Sequence, residues 1–490
     1  MKYDIAIIGA GISGACIARF LSQYKISICM IEKETDVSCG TSKANSGIIH
    51  AGYDPEPGTL MAQLNVRGNE LYTSLSKEVH FTFKRTGSHV IAFTEEEKKV
   101  VQELFERGKK NGVKDLRILN ADELRSMEGS VSSEALCSLY APSAGIISPY
   151  EAVWAIAESA VINGVKLFLE TEVYRISPRD EQGFFAIHTS RSDIRTRFII
   201  NAAGLYADAV NAMAGARRFC IQPRKGEYTL LDTKCCSLAK SVLFQTPTDA
   251  GKGVLVTPTV DYNILIGPSA EEKSEKDFNA TTRTGQEYIF EKAEKTIPDL
   301  PRRSIINSFS GSRAIAYECG EDGKPGKKIN DFIIEEDEIV KGFITVGGIT
   351  SPGLASAPAI AEYVRSLLEK AGLELVINPD YNPVRKGIEI FKEASPQRKE
   401  ELIEENPLYG RIICRCEMIT EAEIVQSIHS IIGAEDLDGV KRRTRAQMGR
   451  CQGGFCLPRI TEIISREKNI PMISVKKNGR SSFILHSKTR

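Results

Sequence analysis

The run Gly9-Ala10-Gly11-Ile12-Ser13-Gly14 follows a nearly unbroken apolar stretch at residues 3–8. Such a stretch suits a parallel strand covered on both faces. Ile17, Phe20, Leu21 and Tyr24 then recur at helical spacing, so one helix face lies on the sheet. Residues 26–31 read as a second strand ending at Glu32, which gives the start of a βαβ unit. In that setting Gly9 permits the tight turn, Gly11 lets the backbone approach a pyrophosphate, and Gly14 lets helix and strand pack closely. The helix N-terminus offers free N–H groups to phosphates. Glu32, 18 residues past Gly14, can accept from ribose hydroxyls, and its charge would repel a 2′-phosphate, which disfavours NADP. The motif alone does not separate FAD from NAD. Its extreme N-terminal position and the long polar loop after Glu32 favour a cofactor that stays bound.

The chain has 490 residues, enough for two or three domains. Lys+Arg and Asp+Glu are equal at 64 each, so net charge draws it neither to nucleic acid nor to a membrane surface. No apolar run is long enough to span a bilayer, and the glycine motif begins too early for a secretory signal. The expected location is the cytoplasm.

Further along, helical patterns cover 59–77, 95–112 and 153–163, and strands are expected at 165–173 and 198–200. Between 216 and 330, alternating runs lie among turns rich in Gly, Pro and Asp, which predicts a largely antiparallel sheet inserted into the first domain. A buried strand at 343–346 and a helix at 357–371 return to the first domain. The expected organisation is a nucleotide-binding part at 1–215, with some segments around 80–145 given to the second domain. The inserted domain is mainly 216–335, and 336–372 completes the first. Residues 373–409 read as a linker, 410–475 as a cysteine module and 476–490 as a basic tail.

Of twelve cysteines, eight are scattered in apolar or irregular contexts, as small buried residues usually are. The other four cluster: Cys414 and Cys416 as C-x-C, then, after 34 residues, Cys451 and Cys456 as C-x4-C. In a reducing cytoplasm such a cluster holds a metal centre or does redox work. Four thiolates suit [2Fe–2S] or zinc, though a C-x-C arm is unusual for zinc knuckles. Lys441, Arg442, Arg443, Arg445 and Arg450 crowd the approach to Cys451. They read as a solvated helix face, as charge that offsets the cluster, or as a dock for an acidic acceptor.

The fingerprint, together with Asn45-Ser46-Gly47-Ile48-Ile49-His50-Ala51-Gly52, Asn201-Ala202-Ala203-Gly204-Leu205-Tyr206-Ala207-Asp208 and Ser351-Pro352-Gly353-Leu354, resembles the D-amino-acid-oxidase-like FAD dehydrogenases. The likeness covers about 1–372 and is nearest the L-2-hydroxyglutarate and anaerobic glycerol-3-phosphate dehydrogenase branch. Residues 410–475, including residues 440–445, resemble the bacterioferritin-associated-ferredoxin-like [2Fe–2S] domain.

The resemblance implies an α/β fold: a Rossmann-like FAD-binding domain, an inserted antiparallel-sheet substrate domain and a small helical [2Fe–2S] domain. It implies FAD contacts at Gly9, Gly11, Gly14, Glu32, Thr41, Ser42, Asn45, Ser46, Gly47, Val173, Ala203, Gly204, Gly348, Ser351, Gly353 and Leu354. It implies cluster ligation by Cys414, Cys416, Cys451 and Cys456. A helix N-terminus after Gly353 would stabilise negative charge on the reduced flavin. Three departures stand out: Ile349 and Tyr53-Asp54 replace a Lys and an Arg common in glycerol-3-phosphate enzymes, and C-x4-C replaces C-x2-C.

Oxidising a secondary alcohol needs a hydride acceptor, a base and a cation for the substrate's anionic end. His50 is the candidate base and Arg313, which matches the family's substrate-side Arg, the anion contact. Arg224 and Lys225 are weaker candidates for a second one. The other five histidines have no comparable setting. The expected activity is oxidation of a small anionic hydroxy compound, with electrons leaving through [2Fe–2S] to a partner protein. Glycerol 3-phosphate comes first, then L-2-hydroxyglutarate or another 2-hydroxy acid, then an amino acid or secondary amine. A non-enzymatic electron-transfer or sensor subunit is the competing class.

Overall fold

A computed structural model describes residues 1–247, 253–320 and 323–487, so the last three residues of the basic tail lie outside it. The strand Lys2–Ile8 lies between Ile28–Ile31 and Ile194–Asn201, parallel to both. Its side chains alternate between two cores. Ile5 and Ile7 face the helices Ile12–Leu21, Pro149–Ile162 and Gly353–Lys370. Ala6 and Ile8 join a second cluster with Val210 and Phe343. Each fully buried isoleucine contributes about 2 kcal/mol, which fixes the register of this sheet.

Strand Ile194–Asn201 divides its far edge. Its first half pairs antiparallel with Phe185–Thr189, and its second half pairs parallel with Phe343–Gly347. The carboxyl ends of four parallel strands therefore meet at one edge, where nucleotides bind in open α/β sheets. Residues 165–173 are not one strand. Lys166–Phe168 extends the sheet beyond Ile28–Ile31, while Val173–Ser177 pairs with Phe185–Thr189 at the opposite end. Glu170, with φ +50°, turns the chain between them.

The helix expected at 357–371 starts earlier, at Gly353, and takes Pro358 into its second turn. The carbonyl of Leu354 loses its intrahelical donor there. The Tyr72 hydroxyl donates to it instead, at 2.7 Å.

The second sheet has ten strands among the described residues. Its spine is the long antiparallel pair Phe219–Leu231 and Ile305–Cys319. Ser88–Ala92, Arg117–Asn120 and Cys137–Ala141 complete it from the first third of the chain. One parallel pairing, Val242–Gln245 on Ser88–Ala92, interrupts an otherwise antiparallel array. The stretch read as a linker is itself packed. It holds the helix Pro396–Glu405, N-capped by Ser395, and buries Arg385 against Glu158.

The C-terminal module has its own core of Ile424, Ile428, Leu437, Val440, Ile460 and Ile464. A short hairpin, Ile412–Cys414 with Ile419–Thr420, precedes the helices Glu421–His429, Leu437–Thr444 and Leu457–Glu467. Of the basic run before Cys451, Arg450 is exposed, but Arg442, Arg443 and Arg445 are not a solvated face. Arg442 and Arg443 are buried and both grip Asp36 of the first domain, at 2.6 and 2.7 Å. Arg445 pairs with Asp261 at 2.6 Å and Glu417 at 3.0 Å. The Trp154 indole adds a bond to the Ile432 carbonyl at 3.2 Å.

Burial alone would raise the Asp36 carboxyl, but the two guanidinium groups outweigh it and hold its pKa at about 2. A depressed carboxylate contributes stability that is complete above its unfolded pKa and lost as pH falls through its folded one. Here that window runs from about pH 4 down to about pH 2. Removing one partner of a buried pair costs about 3–5 kcal/mol because the other charge stays buried. Asp36→Asn should therefore lower the melting temperature by several degrees at pH 7 and expose the module to limited proteolysis. Unchanged melting and protease resistance would show that other contacts hold the module.

Candidate active site and cluster site

A cleft of about 500 Å³ runs along the carboxyl edge of the first sheet and under the second. At its nucleotide end the glycines act through space as much as through φ. A Cβ on Gly9, whose φ is +105°, would lie 2.5 Å from the Ala202 carbonyl oxygen. One on Gly11 would meet the Ser42 hydroxyl at 3.1 Å. Gly14 stands behind the cleft wall, where a Cβ would strike the Gly9 carbonyl at 2.0 Å, so its role is helix–strand packing. The Ile12 N–H at the helix start donates to Ser42 Oγ at 2.9 Å.

Glu32 lines the cleft and accepts from the N–H groups of Ala10 and Glu34, at 2.9 and 3.0 Å. Burial raises its pKa, with those two bonds opposing. Thr41, Asn45, Ser46, Val173, Ala203, Gly204, Ser351, Gly353 and Leu354 also line the cleft. Gly47 and Gly348 do not. Their left-handed φ values of +66° and +62° shape the wall from behind. The helix Gly353–Lys370 points its N-terminus into the cleft, which favours negative charge there.

His50 and Arg313 both face the same cavity. The His50 Nε2 lies 3.3 Å from Ser351 Oγ, and the ring packs 5.7 Å from that of Phe244. Its backbone is fixed from below: Asn65 and Asn69, four residues apart on the helix Leu60–Val79, donate to the His50 carbonyl at 2.8 and 2.9 Å. Arg85 in turn holds the Asn69 side-chain oxygen at 2.6 Å. The sequence signal for this support was two asparagines on a buried helix face.

Arg313 donates to the Ser269 carbonyl at 3.2 Å, and no carboxylate among the described residues pairs with it. Burial lowers its pKa, Tyr228 opposes and Arg224 adds to the fall. Arg224 and Lys225 are not second anion contacts. Arg224 pairs with Glu272 at 2.9 Å, and the fully buried Lys225 with Glu227 at 2.8 Å. Neither lines the cleft. Alternation along the strand turns Lys225 to the face opposite Arg313 and Tyr228, while Arg224, across from Arg313, is drawn to Glu272. Tyr228, Phe244 and Phe278 form apolar walls that sequence reading did not single out.

The four module cysteines come together as two pairs. Cys416 and Cys451 sulfurs are 3.6 Å apart. The Cys456 thiol donates to Cys414, which pulls Cys414 down to about 6 and pushes Cys456 up. Among the described residues no three metal-binding side chains converge on one point. Two pairs suit a two-iron cluster better than one tetrahedral zinc ion.

Backbone N–H groups also point at the sulfurs. Phe455, Gly453 and Gly454 donate to Cys451, while Gln447 and Glu417 donate to Cys414. Left-handed Gln447, Gln452 and Gly453 turn these groups inward, so the wider C-x4-C loop is used to build a donor shell. Such bonds stabilise thiolate charge and tune a cluster's potential. The other eight cysteines are less uniform than expected. Cys236 is exposed, and Cys220 and Cys319 are half-buried with sulfurs 3.0 Å apart.

These features define an oxidoreductase with one organic and one inorganic redox site. The chain belongs to the FAD-dependent oxidoreductase family, which matches residues 4–367, and residues 412–466 match the BFD-like [2Fe–2S] binding domain. A glycerol 3-phosphate dehydrogenase of Caloramator mitchellensis is 46% identical over 488 residues, covering 100% of this chain and 99% of that one. A mitochondrial L-2-hydroxyglutarate dehydrogenase of Nematostella vectensis is 27% identical over 414 residues, covering 74% and 89%. Among solved structures, the FAD-bound, dithionite-reduced L-α-glycerophosphate oxidase of Mycoplasma pneumoniae superposes with a TM-score of 0.72 at 31% identity, covering 78% of this chain and 98% of the oxidase.

The glycine cradle, the half-buried Glu32 and the helix N-terminus fit FAD, and the thiol pairs with their N–H shell fit [2Fe–2S]. Among the described residues no helix is long and apolar enough to cross a membrane. Gly9→Ala should cut the flavin-to-protein ratio by more than about tenfold, and Cys451→Ser should do the same to iron, each leaving the other cofactor at wild-type content. Cofactor analysis that found both lost together, or neither, would break this division.

Proposed function

We propose that the protein oxidises glycerol 3-phosphate to dihydroxyacetone phosphate and passes the electrons to a separate protein. The observation that carries the proposal is Arg313: a cation in the cleft wall that no carboxylate among the described residues neutralises. Its guanidinium is half-buried with a backbone carbonyl as partner, and its planar fork suits a phosphate or carboxylate. The similarity along the whole chain to a glycerol 3-phosphate dehydrogenase supports phosphate as that anion.

In this reading Arg313 holds the anionic end while Tyr228, Phe244 and Phe278 exclude water from the carbon chain. His50 Nε2 accepts the proton of the reacting hydroxyl once the substrate takes the place of the Ser351 hydroxyl at that nitrogen, while the Asn65–Asn69 pair holds the His50 backbone. FAD, when bound, supplies the acceptor for the hydride that leaves the carbinol carbon, and the [2Fe–2S] cluster supplies a one-electron relay outward. Glu32, Ser42 and the glycine cradle hold the dinucleotide, and the four module cysteines hold the cluster.

The oxidase match takes in 98% of that chain and 78% of this one, and the family model of the flavin part stops at residue 367, before the module at 412–466. The additional module supports a protein acceptor in place of a small one. A 2-hydroxy acid such as L-2-hydroxyglutarate is the second reading. Ile349, where glycerol-3-phosphate enzymes often carry Lys, and the Nematostella relative favour it.

Under anaerobic conditions glycerol 3-phosphate should bleach the flavin, and L-2-hydroxyglutarate, lactate and proline should not. Arg313→Ala should raise KM for the bleaching substrate by about a hundredfold, the loss of one charge-assisted anion contact, with flavin content unchanged. Bleaching by L-2-hydroxyglutarate alone would transfer the assignment to the second reading. A KM that Arg313→Ala leaves unmoved would remove that residue from the site.

A further inference from the structure

The cysteine loops leave an unusual surface over the cluster site. Phe455, between Cys451 and Cys456, is 83% exposed, and Met418, two residues past Cys416, is 46% exposed. A phenylalanine held out to solvent costs apolar hydration and marks an interaction site when it belongs to a rimmed patch. Cys416 lies at this surface too, while Cys414 and Cys456 are buried beneath it.

The rim carries positive charge. Arg415 is exposed and pairs with no carboxylate among the described residues. Arg450 is exposed and reaches Asp232, whose own side chain is nearly buried. Glu417, the acid of the first cysteine loop, is buried against Arg445. Residues 439–461 contain no acid at all, in a chain whose charges otherwise balance. The nearest exposed acid beyond, Glu462, is engaged by Arg459 at 3.0 Å. The more conspicuous cations of the sequence are engaged elsewhere, Arg442 and Arg443 by Asp36 of the first domain and Arg445 by Asp261 of the second and Glu417 of the module.

We propose that Phe455, Met418 and Arg415 form the docking surface for an acidic one-electron carrier protein that has an apolar spot over its own redox centre. The inference rests on the reading that the module passes electrons to a separate protein. An apolar centre with a cationic rim is the arrangement in which hydrophobic contact gives affinity and charge gives encounter rate. Electron-transfer interfaces are small and transient, which fits a patch built from two loops. One electron leaves the reduced cluster and one carrier is reduced at each encounter.

Plastocyanin, acidic with an apolar patch, is the probe, and the basic cytochrome c is its control. The holoenzyme is reduced with stoichiometric dithionite, so the assay does not depend on the substrate assignment. It is then mixed with each carrier in a stopped-flow instrument. Binding is measured separately by calorimetry with cadmium-substituted, redox-inert plastocyanin.

Wild type should reduce plastocyanin faster than cytochrome c, with a rate that falls as salt rises. Phe455→Ala should weaken binding and slow transfer about tenfold. Arg415→Glu should slow transfer about fivefold and flatten the salt dependence. Both substitutions change a solvent-facing side chain and keep the backbone N–H, so flavin content, cluster spectrum and reduction of a small dye should stay at wild-type values. Preference for cytochrome c, variants within twofold of wild type, or concentration-dependent self-association abolished by Phe455→Ala would each overturn the proposal. Failure of every substrate to bleach the flavin would count against the proposed function alone.

Discussion

One carboxylate, Asp36, joins the two halves of this protein. It stands in the loop that begins at Glu32 and ends at Ser42, the two side chains that close the nucleotide end of the cleft. It takes both Arg442 and Arg443 from the module that gathers the cysteines. The cofactor loop and the module dock are therefore the same piece of chain. Cys39, in the same loop, also lines the cleft. A buried carboxylate between two arginines is weak evidence for net stability, since desolvation offsets much of the attraction. Its consequence is specificity of placement: few other geometries satisfy two buried guanidinium groups at once.

The same logic, read in reverse, marks the reactive end. Several buried cations are paired with carboxylates: Lys225 with Glu227, Arg385 with Glu158, Arg19 with Glu78. Arg313 has a backbone carbonyl and nothing anionic. The fold supports it on a long strand pair and gives it an apolar surround, so the missing charge is left for a ligand to supply. His50 is treated in the opposite manner, with its backbone tied by two asparagines and its ring left facing the cleft.

Much of this could be read from sequence wherever the determinant was local. The Gly9–Gly14 turn, the strand before it and Glu32 after it depend on neighbours in the chain, and their geometry follows. The four cysteines were legible for the same reason, since thiol chemistry at that spacing has few uses. Long-range pairing hid the rest. Arg442 and Arg443 looked like a solvated face because their partner lies some four hundred residues away. Arg224 and Lys225 looked like anion contacts because Glu272 and Glu227 become neighbours only in the folded sheet. Residues 165–173 looked like one strand, as nothing in their pattern announces the left-handed Glu170.

In the proposed reaction both redox centres belong to one polypeptide and exchange electrons within it. Freeze-quench EPR after anaerobic mixing with glycerol 3-phosphate tests this most directly. The account predicts that the signal of a reduced [2Fe–2S] centre grows at a rate independent of protein concentration, as flavin absorbance reports substrate oxidation. A cluster signal that never forms, or one whose rate scales with protein concentration, would contradict it.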